Sequence, residues 1–198
     1  MSSIIKPGAH VLYMKVGNHA GEPLDEILKR KTKEIEDEGR AFWGYGGGTC
    51  HPSNVVQPFA RSYVEQGGAI YLCMESMESK RFAESVRADE YSINGIDWEK
   101  IPAAINVTGS RYAVVIKNLH KGNFELPLRQ TRVALGNSVG AVGSEYIRGR
   151  VDKACLEVIG PTSDSQGSES IAHIGLVAEI VKPYAVFVRN LPTGVKTG

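Results

Sequence analysis

Helical periodicity in this chain is concentrated in its first half, whereas the apolar stretches of the second half read mostly as strand. That asymmetry limits the available folds. Leu24, Ile27, Leu28 and Ile35 recur at three- and four-residue spacing up to Glu38, with Gly39 as a stop. Glu22, Asp25 and Glu26 suit the positive start of this helix, and Pro23 fits its first turn. Lys29, Arg30, Lys33, Glu34, Glu36 and Asp37 are predicted to form its solvated face. A second helical pattern, Val55, Val56, Phe59, Tyr63 and Val64, follows Ser53 or Asn54 as a cap and ends at Gly67. Pro58 falls in its first turn, where a missing N–H costs little.

Strands are predicted at 9–16 and 69–74, where short apolar runs rich in β-favouring residues are bounded by turn residues. Alternation through Ile105 and Val107, then Tyr112, Val114 and Ile116, predicts a β-hairpin turning at Thr108-Gly109-Ser110. Residues 151–159 and 184–188 read as further strands, and 171–181 fits strand or helix equally. A short charged helix is predicted at 80–89, a connection at 97–102 and a polar loop at 160–170. The expectation is one α+β domain over 1–190, with a mixed, mainly antiparallel sheet and two or three amphipathic helices, followed by a flexible tail at 191–198.

The segment Phe42-Trp43-Gly44-Tyr45-Gly46-Gly47-Gly48-Thr49-Cys50-His51-Pro52-Ser53-Asn54 departs from its surroundings. Four of the chain's 22 glycines lie within five positions, interleaved with aromatic residues. Glycine lets a backbone approach a ligand closely, and Trp43 and Tyr45 offer flat surfaces for stacking. A helix starting near Ser53 would turn free N–H groups and a positive end toward the same loop. Trp43, Tyr45, Gly46, Gly47, Gly48, Thr49, His51, Ser53 and Asn54 are therefore the candidate ligand residues. The segment fits neither the Walker loop, which needs Gly-Lys-Ser/Thr, nor the dinucleotide fingerprint.

A second glycine-rich stretch, 136–144, reads as a turn into a short, closely packed helix with Ser138 as cap and Gly149 as stop. Arg148 and Arg150, with Lys153 beyond, gather positive charge there, and guanidinium groups grip phosphate oxygens in a fork. Arg148 and Arg150 join the candidate site as neutralisers of an anion. In a strand, the odd separation of Arg150 and Lys153 would send them to opposite faces.

Lys and Arg number 23 against 22 Asp and Glu, so no overall field draws the chain to nucleic acid, and neither that partner nor a membrane is expected. No stretch approaches the ~20 apolar residues of a spanning helix. Three cysteines without close spacing suit a reducing compartment, so the cytoplasm is expected. The scattered histidines and cysteines show no metal-binding spacing, and no metal or cofactor is expected. Cys50 beside His51 invites a nucleophile and base assignment, yet sequence neighbours seldom aim at each other. The leading expectation is a protein that binds an anionic small molecule, a nucleotide or nucleotide-derived signal, without turnover. A hydrolase or transferase using His51 with or without Cys50, and an oligomeric structural or interaction protein, are the alternatives; a homo-oligomer fits each of them.

Overall fold

A computed structural model of the protein describes residues 4–79, 84–148, 151–163 and 170–191. Among the described residues, nine strands form one mixed, mostly antiparallel sheet accompanied by three helices, an α+β architecture. The elements in chain order are β1 (His10–Val16), α1 (Leu24–Glu38), β2 (Ala41–Tyr45), α2 (Gln57–Val64), β3 (Ile70–Ser76), β4 (Glu90–Ser92) and β5 (Glu99–Lys100). They continue with β6 (Tyr112–Pro127), β7 (Thr131–Val133), α3 (Gly143–Tyr146), β8 (Lys153–Val158) and β9 (Ile171–Arg189). The spatial order is β2-β6-β9-β3-β1-β8-β7, with β4 and β5 branching from β9. Among the described residues, only β1 and β3 run parallel; the intervening α1, β2 and α2 supply the long crossover that parallel neighbours require.

Strand β1 shows why its sequence is apolar without interruption. Leu12, Met14 and Val16 enter the core beneath α1 and α2, whereas Val11 and Tyr13 enter a second core on the opposite face. A strand buried on both sides has no polar alternation to display. The first core also takes Ile27 from α1, Phe59 and Ala60 from α2, and Trp43 and Tyr45 from β2. A third core, containing Phe42, Ile105, Val107, Val115 and Val186, lies where the 88–107 segment packs on β2, β6 and β9.

Helix α1 has the expected span, and Gly39 closes it in the left-handed conformation (φ 73°), donating its N–H to the carbonyl of Ile35. Pro23 stands at the cap rather than inside the first turn. The predicted solvated face needs correction: Glu34 is 1% exposed, and Lys31 beside it is 3% exposed. Before α2 comes a wider π-type turn over Pro52–Val56, capped by His51, whose Nδ1 accepts the Asn54 N–H at 3.4 Å. Neither Ser53 nor Asn54 is the cap, although Pro58 does occupy the first turn of α2.

The predicted hairpin at 108–110 does not form. Residues 105–107 lie outside any strand, and β6 instead pairs with β2 on one side and β9 on the other. The ambiguous stretch 171–181 is strand, and it joins the predicted strand at 184–188 in β9, a 19-residue strand. Residues 84–89 are not helical, and residues 80–83 of that predicted helix lie outside the described residues. The second glycine-rich stretch makes only the four-residue α3; Val142, not Ser138, precedes it, and Gly149 lies outside the described residues. The central part of the 160–170 loop and residues 192–198 of the tail also lie outside them.

Strands β6 and β9 are too long to remain flat. Their pairing shifts register between Val114 and Ile116, Lys117 and His120, and Lys121 and Phe124, and each such irregularity bends a ribbon and adds twist. Curling brings the end of β2 back over β1 and β8, although these strands are far apart in the hydrogen-bonded order. The Cys50 thiol after β2 meets the Cys155 thiol of β8, and Trp43 shares a core with Met14. Among the described residues, no helix is long and apolar enough to cross a membrane.

Candidate functional site

The space between the curled ends of the sheet and α1 is a cleft of about 460 Å³, within the ~300–1,000 Å³ range of small-molecule sites. Its floor is apolar: Met14 and Val16 from the carboxyl end of β1, Ile27 from α1, and Trp43 from β2. Its walls are polar. One carries His19 and Glu22 from the β1–α1 connection; another carries Asn106, Thr108 and Ser110; the third carries Gly46 and Gly47 with Asp152 and Lys153. Two glycines let the connecting loops close against one another. A Cβ on Gly17 would stand 2.4 Å from the Met77 carbonyl oxygen, and one on Gly44 would stand 2.4 Å from Ser110 Oγ.

A charged network ties α1 to the 106–110 wall. Arg30 pairs with Glu22 and with Glu34, and its Nη1 donates to the Asn106 carbonyl at 2.7 Å. Lys31 Nζ donates to both Glu34 oxygens, at 3.0 and 2.9 Å, and to the same Asn106 carbonyl at 2.7 Å. Glu34 in turn accepts the Asn106 N–H at 3.0 Å. The Arg30 bond holds the Glu22 carboxyl below its ordinary range, and burial lowers the Lys31 ammonium to about 8. A buried charge is tolerable only with such complete pairing. Lys31 stands at helical spacing from Ile27, Leu28 and Ile35 and so shares their inner stripe, although the charged run around it reads as solvated surface.

Four cationic residues, Lys15, Arg30, Lys31 and Lys153, and two acidic ones, Glu22 and Asp152, line the cleft, with Glu34 as a third carboxylate beside Arg30 and Lys31. Lys153 is the most informative of them. Its side chain is 6% exposed and, among the described residues, meets one acceptor, Asp152 Oδ1, at 2.5 Å. An ammonium carries three donors. Its Nζ lies 3.6 Å from where a Cβ on Gly47 would stand, so it sits directly under the glycine loop.

The structure brings together part of the sequence-derived site. Trp43, Tyr45, Gly46 and Gly47 line the cleft. Both aromatic rings are largely buried, Trp43 at 5% and Tyr45 at 4% exposed, and the Tyr45 hydroxyl donates to the Cys50 carbonyl at 2.6 Å. Gly48 and Thr49 continue the loop beyond the cleft lining, Ser53 and Asn54 lie in the π-type turn, and Arg148 is an exposed residue after α3. Arg150 lies outside the described residues. His51 packs edge-on between Tyr112 and Phe187. Lys15, His19, Arg30, Asn106, Ser110 and Asp152 were absent from the sequence-derived site because three separated segments supply them, and single-chain spacing carries no such proximity.

His19 Nε2 lies 3.0 Å from the Thr108 carbonyl oxygen and 3.4 Å from Ser110 Oγ. A carbonyl can only accept, so Nε2 carries the proton in this bond and is not the base for Ser110. Among the described residues, no group of three or more His, Cys, Asp or Glu side chains is arranged to hold a metal. No protein-family model, curated protein or solved structure matches this chain.

Proposed function

We propose that the protein binds an anionic small molecule, of the nucleotide or nucleotide-derived class, in the cleft between α1 and the curled end of the sheet, and holds it without turnover. The observation that carries this reading is an enclosed cation, the Lys153 ammonium, at the edge of an apolar floor and beneath the glycine loop. The floor of Met14, Val16, Ile27 and Trp43 receives a ring, and Asn106, Thr108, Ser110 and His19 offer polar groups for sugar or base edges. Binding without reaction is supported by the employment of the nucleophile and base candidates elsewhere. Cys50 is engaged with Cys155, His51 caps the π-type turn, and His19 donates to a backbone carbonyl.

The test is thermal unfolding of the full chain with ribonucleoside mono-, di- and triphosphates, cyclic nucleotides and sugar phosphates, followed by chromatography of the small molecule. A ligand at 100 times its dissociation constant adds about 2.7 kcal/mol, a shift of several degrees for a chain of this size. The expected result is stabilisation by at least one phosphorylated compound, recovered chemically unchanged. Stabilisation by none overturns the ligand class, and recovery of a converted compound overturns binding without turnover.

A further inference from the structure

Gly46 has no structural reason to be glycine. It lacks a left-handed φ, and a Cβ added to it would meet nothing within 4 Å, yet it is half-buried and lines the cleft. The other glycines that line the cleft have explanations: Gly17 and Gly44 permit close backbone or side-chain approach, and Gly47 and Gly109 have φ of +88° and +60°. An unneeded glycine raises the entropy lost on folding, so the open space beside Gly46 calls for an occupant that a side chain would displace.

Two further observations point to the chemistry of that occupant. The Lys153 ammonium, buried beneath Gly47, meets one acceptor among the described residues and retains donors for others. Among the described residues, the N–H groups of Gly46 and Gly47, the two loop glycines that line the cleft, also meet no protein acceptor. Backbone amides on the loop over one enclosed ammonium suit an oxyanion, whose several oxygens can accept from both, and glycine lets it reach the backbone.

We infer that the corner formed by Gly46, Gly47 and Lys153 is an oxyanion subsite that holds a phosphoryl group of the ligand. This rests on the proposal that the cleft binds an anionic small molecule, and it assigns one end of that molecule to one corner. Arg30 and Lys31, already paired with Glu22 and Glu34, shape the opposite wall instead of gripping the phosphate.

The experiment measures affinities of the wild-type chain, Gly46→Val, Gly46→Ala and Lys153→Met for inorganic phosphate and for the phosphorylated compound that stabilises the wild type best. The dephosphorylated form of that compound is the third probe, and Gly48→Ala, outside the cleft lining, is the control. Gly46→Val and Lys153→Met should each weaken the phosphorylated probe at least tenfold and leave the dephosphorylated probe within twofold of its wild-type affinity. Gly46→Ala should melt at or above the wild-type temperature and still bind the phosphorylated probe several-fold more weakly. Gly48→Ala should bind as wild type. If inorganic phosphate alone binds and loses affinity in the same variants, the subsite stands with free phosphate as its ligand. If the phosphorylated probe binds all variants equally, the subsite is overturned while cleft binding survives. If neither phosphate nor any phosphorylated compound binds the wild type, both readings fall.

Discussion

At the scale of single residues, glycine has several different reasons to be present in this protein, and the sequence shows only that glycine is there. Gly143 illustrates the most restrictive. A Cβ there would lie 2.0 Å from Thr131 Oγ1 and 2.9 Å from the Leu128 carbonyl, and the backbone oxygen cannot move without disturbing the turn it belongs to. The Thr131 hydroxyl is itself committed, donating to Leu128 O at 2.8 Å. Gly143→Ala should therefore cost about 1–3 kcal/mol, the usual penalty of overpacking, whereas Gly48→Ala, with open space and no positive φ, should change stability by less than about 0.5 kcal/mol. Urea unfolding of both variants checks this, and equal midpoints would show that the 128–131 turn yields to an added methyl. The sequence reading that small residues in 136–144 permit close packing holds at Gly143. Which of the clustered glycines borders open space depends on the neighbours of each, and those neighbours come from remote segments.

At the scale of elements, α1 was readable because its apolar spacing, acidic start and glycine stop all indicate the same 15 residues. What its pattern concealed was Lys31 and Glu34 on the buried side, where a mixed charged cluster resembles solvated surface. The consequence is measurable. Burial lowers Lys31 to about 8 from its ordinary 10.5, so between these values the unfolded chain binds more protons than the folded one. Stability must then rise with pH on account of this residue, because the cost of burying its charge is fully present below about pH 8 and is relieved above it. Lys31→Met removes the titration. The stability of wild type relative to Lys31→Met should increase by about 2 kcal/mol from pH 8 to pH 10, measured by denaturant unfolding at each pH. A difference that is flat with pH would show that Glu34 and Asn106 compensate the burial completely. Strands β6 and β9 were less legible for a different reason: β6 alternates only in its exposed half, and its partners β2 and β9 cannot be inferred from local spacing.

At the scale of the whole molecule, one sheet runs through all three cores, so its central strands should open only when everything opens. The cysteines sample that hierarchy. Cys73 lies in β3 between β1 and β9, fully buried, and burial pushes its thiol up to about 12. At pH 8 the thiolate fraction of such a group is about one in ten thousand, and reagent cannot reach it in the folded state. Cys50 is also buried, but it ends the glycine loop, whose preceding residues are exposed or half-buried. Opening that loop exposes little surface, whereas opening β3 breaks pairing on both its edges and disrupts two cores. In variants retaining a single cysteine, Cys73 should therefore be labelled by a thiol reagent with a denaturant dependence equal to that of global unfolding. Cys50 should be labelled faster and with a much smaller dependence, and a ligand occupying the Gly46 corner should slow Cys50 more than Cys73 under conditions where local opening dominates. If Cys73 is labelled with the shallow dependence expected for Cys50, the sheet opens in parts and the cleft lies between independently moving pieces. If both follow global unfolding, the glycine loop belongs to the rigid frame and its shape is set before any ligand arrives.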